Sequence, residues 1–184
     1  LAILVAVAVF VAFLVGFDQY CKYLALVNLV PGVVVSVVSL PFLGDICILT
    51  LVWNTGAFLS LGAGSEGILR GLFMIGVPAV ALAGMVLYLV RPFLAALFKK
   101  KIATVSGELR IGLALFIAGG GGNLIDRIRD GRVVDFLNFG IASLRTGIMN
   151  VADLYIALGL VFLVVYYFRH RTRASSGDAP QGQH

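Results

Sequence analysis

The sequence predicts an α-helical integral membrane protein with four transmembrane helices and a small β-structure outside the bilayer. Hydrophobic residues make up 60% of the 184 residues, and charged residues only 12%. A soluble fold of this size needs more polar side chains to cover its surface, whereas a lipid bilayer removes that need. The net charge of +5 comes from basic residues scattered between apolar runs. Such scattering is typical of membrane topology rather than of nucleic-acid binding.

Four apolar segments are predicted to cross the membrane, near residues 1–17, 68–90, 109–128 and 150–169. The first contains no polar side chain. A cleavable signal peptide is the rival interpretation of that segment, but no A-x-A-like cleavage site follows it, so we expect a retained span. The second contains Pro78, which membrane helices tolerate. The last two have short uncharged runs, so their charged ends must lie at the hydrocarbon boundary.

The stretch 23–44 carries no charge and has the length of a fifth span. Pro31 and Pro41 interrupt it, its valines are clustered, and residues 46–52 then alternate in the manner of a β-strand. These features favour β-structure over a membrane helix. We therefore expect a β-cradle at about residues 28–62 that rests on the outer membrane surface.

Basic residues predict the orientation of the chain. A lysine cluster at 99–101 precedes the third span, and three arginines follow the fourth. Positive charge is enriched in cytoplasmic segments, and four spans return the chain to the side where it began. Both termini should therefore be cytoplasmic, with residues 18–70 and 126–153 outside. The tail at 170–184 is basic at first and then rich in Ser, Gly and Gln, which predicts a disordered end.

Four aspartates lie in or beside the second outer segment, at the ends of the third and fourth spans. Carboxylates at a membrane boundary are functional candidates because each is costly unless it is paired or wetted. Adjacent arginines indicate local neutralisation of two of them, whereas the other two have apolar neighbours and no adjacent base. The first two are Asp126 and Asp130, with Arg127, Arg129 and Arg132 beside them, and the unpaired two are Asp135 and Asp153.

Asp135 and Asp153 can meet without topological strain, because the third span ends where the fourth begins. Two carboxylates in contact share one proton, so that one serves as general base and the other as general acid. The alternatives are a purely structural role and a small ion- or proton-coupled transporter subunit that uses these carboxylates as ligands. A serine or cysteine triad and a zinc site are not expected, since both histidines lie near the C-terminus.

Five motifs carry a resemblance to a known family. They are Asp18-Gln19 with Lys22, Asn54-Thr55-Gly56-Ala57, Gly119-Gly120-Gly121-Gly122-Asn123-Leu124-Ile125-Asp126-Arg127, Val134-Asp135-Phe136, and Asn150-Val151-Ala152-Asp153. In this order, and with the four-span layout, the chain closely resembles the lipoprotein signal peptidases, also called signal peptidase II. Phe58-Leu59-Ser60 and Met149 depart from the usual pattern but keep it apolar, which leaves the shape of the substrate groove open.

The resemblance implies a bacterial inner-membrane aspartic endopeptidase. Residues 1–169 would form a single membrane-embedded peptidase domain that cleaves prolipoproteins before the diacylglyceryl-cysteine. Its active site would face the periplasm and be the target of the cyclic peptide globomycin. The implied partners are diacylglyceryl-modified prolipoproteins and membrane lipids, with no nucleic acid, no cofactor and no metal, and the expected state is a monomer.

The resemblance also assigns roles to individual residues. Asp135 and Asp153 match the catalytic dyad. The positions that match substrate-binding or site-supporting residues are Asp18, Lys22, Asn54, Gly56, Asn123, Arg127 and Asn150.

Residue chemistry alone leaves plainer interpretations open for some of these positions. The three asparagines equally suit the capping of backbone groups at helix or strand ends. Arg127 suits a brace for Asp126 or another nearby carboxylate. Lys22 suits a side chain that extends toward lipid phosphates.

Overall fold

The chain folds into four long helices and a small antiparallel sheet. The computed structural model describes residues 1–56, 71–100, 102 and 104–176, with side chains up to residue 171. The elements in chain order are α1 (Ala2–Asn28), β1 (Val35–Leu40), β2 (Gly44–Asn54), a π-helical turn (Leu72–Gly76) continued by α2 (Val77–Leu97), α3 (Gly107–Asp130), β3 (Val133–Ile141), β4 (Leu144–Arg145) and α4 (Val151–Ser176).

Four helices in the described part of the chain are long and apolar enough to cross a membrane. They run over Ala2–Asn28, Leu72–Leu97, Gly107–Asp130 and Val151–Arg171. This confirms the predicted four-span membrane fold, and the stretch 23–44 is divided between the end of α1 and two strands instead of forming a fifth span.

The helices extend beyond several of the predicted bounds. Helix α1 continues to Asn28, well past the predicted limit at residue 17, because Asp18 and Lys22 are buried against another helix and do not mark the membrane boundary. Helix α4 continues through Ser176, so the tail is helical at first. Residues 68–70 of the second predicted span and 177–184 of the tail lie outside the described residues.

Helix α3 is the central helix of the bundle. Half of its most apolar segment is buried inside the protein, far more than in the other three helices. Ser106 caps its start by accepting a hydrogen bond from the Leu109 amide, and Gly131, with φ 66°, ends it in the left-handed conformation. Glycines bring α3 and α4 into backbone contact. A Cβ atom at Gly119 would lie only 2.3 Å from the carbonyl oxygen of Ala152.

The four strands form one antiparallel sheet in the order β1-β2-β3-β4. Strands β1 and β2 fall within the predicted cradle, whereas β3 and β4 come from the outer segment between the third and fourth spans, for which no strand was predicted. Residues 57–62 of the predicted cradle lie outside the described residues. A cluster of Ala25, Leu51, Val134 and Phe136 packs one face of the sheet onto the end of α1. This packing holds β3 next to the end of the helical bundle.

Candidate active site

Polar side chains from α1, β2, α3, β3 and α4 meet at the end of the bundle that carries the sheet. All nine residues singled out from the sequence are linked there by hydrogen bonds or ion pairs. Most of the linking pairs are far apart in the chain; Lys22 and Asn123, for example, are separated by 101 positions. The fold therefore assembles one continuous polar network from residues of five elements.

Asp153 is positioned by the start of helix α4. Its Oδ2 accepts a hydrogen bond from the backbone N–H of Asn150 at 3.1 Å, while Oδ1 of Asn150 accepts one from the backbone N–H of Asp153 at 3.0 Å. This reciprocal pattern is a capping box, which satisfies two amide groups that a helix start leaves without partners. The remaining oxygen, Oδ1 of Asp153, accepts a hydrogen bond from Nδ2 of Asn123 at 2.8 Å.

Asp135 lies on β3, opposite Val52 of β2, and its side chain is almost fully buried. Nδ2 of Asn54 donates to Oδ2 at 3.0 Å, and Nδ2 of Asn150 donates to Oδ1 at 2.6 Å. Burial raises the pKa of Asp135 to about 6. The hydrogen bond from Asn54 opposes this rise in pKa, and the negative charge of Asp153 adds to it.

The asparagines do more than cap backbone groups. Asn150 donates to both carboxylates, with its backbone amide to Asp153 and its side-chain amide to Asp135. Asn54 accepts a hydrogen bond from the Gly56 amide while donating to Asp135. The capping interpretation was therefore correct for Asn150 and for the backbone contact of Asn54, but incomplete, because all three amides also hold a carboxylate.

A buried ion cluster lies directly behind the two carboxylates. Nζ of Lys22 is 2.8 Å from Oδ2 of Asp18 and 2.8 Å from Oδ2 of Asp126, and it donates to Oδ1 of Asn123 at 2.9 Å. Lys22 is only 2% exposed, so the expectation that it reaches lipid phosphates was wrong. The two buried carboxylates attract the ammonium group inward, where it makes three short contacts that the lipid surface would have to replace.

The expected partner of Asp126 was also wrong. Asp126 pairs with Lys22 and, at 3.7 Å, with Arg129 instead of with the adjacent Arg127. Consecutive helical residues point in different directions, whereas Arg129 follows three positions later on the same face. Asp130 pairs with Arg129 at 2.7 Å, as its neighbours indicated.

Arg127 faces the sheet. Its Nη2 donates to the carbonyl oxygen of Gly56 at 3.4 Å, and among the described residues no carboxylate forms an ion pair with it. The expected direct brace for Asp126 was therefore wrong, although Asp153 and Asp135 are close enough for their charges to act on the guanidinium. The guanidinium lines a cavity of about 430 Å³ together with Thr55, Met74 and Arg132. Thr55, the residue between Asn54 and Gly56, places this cavity next to the end of β2.

Two residues of the motifs were not assigned to the site from the sequence. Asp126 completes the ion cluster, and Gln19 donates from Nε2 to Oδ1 of Asp126 at 2.9 Å and to the carbonyl oxygen of Gly122 at 3.2 Å. The available signal was the i, i+4 pair of Asp18 and Lys22 in an otherwise apolar helix, which predicts a buried partner on a neighbouring helix.

The geometry can support proton transfer. Asp135 and Asp153 are held by amide donors, and in the described part of the chain neither forms an ion pair. Two carboxylates that share a donor residue, of which the buried Asp135 has a raised pKa, can act together as base and acid. Four membrane-spanning helices with such a site at one end define a multi-pass membrane enzyme.

Comparison with known proteins gives the family. The family model of signal peptidase (SPase) II, Peptidase_A8, matches residues 10–169, and the chain belongs to this peptidase family. Lipoprotein signal peptidases from Borrelia duttonii (strain Ly) and Nostoc punctiforme are both 36% identical to it, over 89% of this chain and 89% of the first protein and over 93% of this chain and 92% of the second. A bacterial membrane enzyme solved by the in meso method at 2.3 Å resolution shares the fold, with a TM-score of 0.71 at 22% identity over 97% of this chain and 94% of that one.

Proposed function

We propose that this protein is an intramembrane aspartic endopeptidase that removes signal peptides from lipid-modified prolipoproteins by cleaving before the diacylglyceryl-cysteine. One observation supports the aspartic mechanism above all: Asn150 donates hydrogen bonds to both Asp135 and Asp153 and so holds the two carboxylates in one network. Membership of the signal peptidase II family and the relatives named lipoprotein signal peptidase support the substrate class.

The reaction requires the pair to hold one proton. The ionised carboxylate removes a proton from water as its oxygen attacks the scissile carbonyl carbon, and the protonated carboxyl donates its proton to the carbonyl oxygen. When the tetrahedral intermediate collapses, the C–N bond breaks and the carboxyl that took the water proton gives it to the leaving amine. The hydroxyl formed from the carbonyl oxygen returns its proton to the other carboxylate, which restores the starting state of the pair. A pKa of about 6 for Asp135 supports this scheme, because the pair then keeps its proton close to neutral pH.

The cavity lined by Arg127 is the proposed site for the peptide around the scissile bond. Thr55, just beyond the end of β2, lines one side of it, and Arg127 supplies guanidinium donors for substrate carbonyl groups. Peptide carbonyls are good acceptors for such donors, which also compensate the charge that develops on the carbonyl oxygen.

We place the active site on the periplasmic side of the bacterial inner membrane, with both termini in the cytoplasm. The basic side chains at the opposite end of the bundle support this orientation. They come from the end of α2, the start of α3 and the end of α4, and are Lys99, Lys100, Arg110, Arg169 and Arg171. The dyad then lies at the level where a lipid-anchored cysteine of the outer leaflet presents its peptide.

Cleavage of a precursor peptide that carries a diacylglyceryl-cysteine tests the proposal. Asp135→Asn and Asp153→Asn each preserve the size of the side chain but remove the shared-proton pair, so each should lower the rate by several orders of magnitude, and the double variant should lose little more. Asp45→Asn, on the exposed part of β2, is the matched control and should cleave normally. Mass spectrometry should find the modified cysteine at the N-terminus of the product.

Near wild-type cleavage by either folded Asp→Asn variant would show that the carboxylates do not perform the chemistry. The assay uses detergent-solubilised protein without an ion gradient. Cleavage under these conditions also contradicts the transporter alternative.

A further inference from the structure

We propose that the outer end of the sheet inserts into the lipid bilayer and anchors the cradle against the membrane. This end, called here the sheet tip, consists of the β1–β2 turn and the β3–β4 turn. Its apolar side chains are all exposed, and they are Leu40, Phe42, Leu43, Ile141 and Leu144. This proposal concerns membrane contact and does not depend on the proposed peptidase chemistry.

The two turns form one surface because of the strand register. Cys47 of β2 is paired with Phe139 of β3, so the start of β2 lies beside the end of β3. The amide of Ala142 donates a hydrogen bond to the carbonyl oxygen of Leu43 at 2.9 Å, which ties the turns together. Asp135 lies toward the other end of β3. The sheet tip is therefore a single apolar knob at the end of the sheet remote from the dyad.

Phe42 is the most prominent side chain of the sheet tip. It is fully exposed, and its backbone has φ 70°, a left-handed conformation that bulky residues rarely adopt. Turns in water favour Gly, Asn, Asp or Ser at such positions. A phenyl group held outward at the cost of backbone strain indicates that it has an apolar environment in the functional protein.

The bilayer is the occupant that the surrounding chain favours. Residues 23–44 carry no charge, and exposed apolar side chains occur at the end of α1, along β1 and in the sheet tip. Tyr23 and Val27 belong to the exposed face of a membrane-spanning helix. An uncharged, largely apolar segment therefore leads from a helix suited to lipid contact to the sheet tip, and this favours lipid over a separate protein partner.

Charged groups follow directly behind the sheet tip. Nη1 of Arg145 donates to the carbonyl oxygen of Asp45 at 2.6 Å, and Oγ of Ser36 donates to the Asp45 carboxylate at 2.6 Å. Hydrogen bonds from Ser36 and Ser39 hold the pKa of Asp45 below its usual value, so this carboxylate stays ionised. An apolar end followed by a collar of charges is the arrangement of an interfacial anchor, with the charges at the level of the lipid headgroups.

The depth of Phe42 distinguishes two orientations of the sheet. Leu49 packs against the cluster at the end of α1, and Gly44 lies five residues before it, at the start of β2, about 17 Å away at the usual rise of a strand. A sheet that stands upright would hold the sheet tip in water at that height. A sheet that lies along the membrane would place it among the lipid chains, as we propose.

Single-tryptophan fluorescence in lipid nanodiscs measures this depth. Trp53 is the only tryptophan of the chain, so Trp53→Phe removes the native tryptophan fluorescence and leaves that of Phe42→Trp alone. In nanodiscs of phosphatidylcholine with brominated acyl chains, Phe42→Trp should emit at short wavelength and lose most of its fluorescence. Ser39→Trp is the matched comparison, since Ser39 is paired with Asp45 in the charged collar, and it should be quenched much less.

Leu144→Trp provides an independent probe from the other turn and should also be strongly quenched. Emission of both tip variants at the wavelength of tryptophan in water, without quenching, would overturn the proposal. So would quenching that occurs only when two copies share a nanodisc, because it would assign the sheet tip to a second copy of the chain. The readout is independent of cleavage, so failure of the proposed peptidase function would leave it intact.

Discussion

At the scale of single residues, the orientation of the asparagine side-chain amides determines which groups donate hydrogen bonds to the two carboxylates. Asn123 must turn its oxygen toward Lys22 and Asn150 in order to turn its nitrogen toward Asp153. Lys22 can only donate, so its contact with Asn123 permits only this orientation. The ammonium group thus fixes the direction of a hydrogen bond to a carboxylate that it does not touch.

Asn54→Ala should move the pH dependence of cleavage in a defined direction. The hydrogen bond from Asn54 favours the ionised form of Asp135 and thereby lowers its pKa. Without this bond, the pKa should rise above about 6, and the pair should keep its proton to higher pH. We expect the alkaline limb of the kcat/KM profile to shift upward. Asn28→Ala, at the exposed end of α1, should leave the profile unchanged, and a downward shift in Asn54→Ala would contradict the assignment.

Lys22→Met should destabilise the fold strongly. Methionine matches the length of lysine, but it leaves Asp18 and Asp126, both fully buried, without their shared cation. Breaking a buried ion pair from one side costs about 3–5 kcal/mol. The midpoint of thermal unfolding in detergent should therefore fall well below that of the exposed control Lys100→Met. Equal stability of the two variants would show that the cluster is wetted rather than buried.

At the scale of elements, close contact between α3 and α4 sets the position of the dyad. Asn123 and Asp153 come from these two helices, so their 2.8 Å hydrogen bond requires the helix axes to be close. Small residues at the contact permit this approach. Gly119 meets the backbone of Ala152, and Gly122 meets the carboxylate of Asp18.

Gly119→Ala should separate the helices and reduce cleavage. The added methyl carbon would lie 2.3 Å from the carbonyl oxygen of Ala152 and 2.8 Å from Cγ1 of Ile156, so α4 must shift. We expect a lower unfolding temperature together with a loss of kcat, measured on the same preparation. Gly84→Ala is the matched control in α2, where a Cβ atom meets nothing within 4 Å, and it should behave like wild type. A harmless Gly119→Ala would show that the contact is adaptable.

The sheet contributes the other half of the dyad through its register. Asp135 faces Asn54 and Asn150 because β3 is paired with β2 at Val52, next to an irregularity in the ladder between Leu49 and Val52. Successive side chains of a strand point to opposite faces, so a slip of one residue would turn Asp135 away from Asp153. The packed cluster of Val134 and Phe136 against Ala25 prevents such a slip.

At the scale of the whole molecule, the proposed function requires the dyad and the basic end of the bundle to lie on opposite sides of the membrane. Cysteine labelling tests this after the native Cys21 and Cys47 are replaced by alanine. Gly147→Cys, in the exposed segment between β4 and α4, should react with a membrane-impermeant maleimide in intact inverted vesicles only after lysis. Lys100→Cys should react without it. Labelling of both positions from the same side would contradict the four-span topology.

The sequence by itself determined the membrane environment of this protein and the family to which it belongs. Apolar runs, charge placement and the proline-interrupted valines are local patterns, so they predicted four spans and a β-segment without knowledge of packing. The absence of a basic neighbour also singled out Asp135 and Asp153, which are indeed held in one hydrogen-bond network. Strand β3 was not predicted, although its sequence is compatible with a strand. A strand is stable only beside a partner, and its partner β2 lies far away in the chain.

Only the tertiary structure decided which polar groups meet. Lys22 was interpreted as a lipid-facing lysine because its own helix is apolar. Its burial instead depends on an ion pair with Asp126, which a different helix supplies. Arg127 and Asp126 looked like a pair because they are adjacent, yet a helix directs adjacent side chains apart. A buried charge needs partners that offset the free-energy cost of its removal from water. In this fold those partners come from distant parts of the chain.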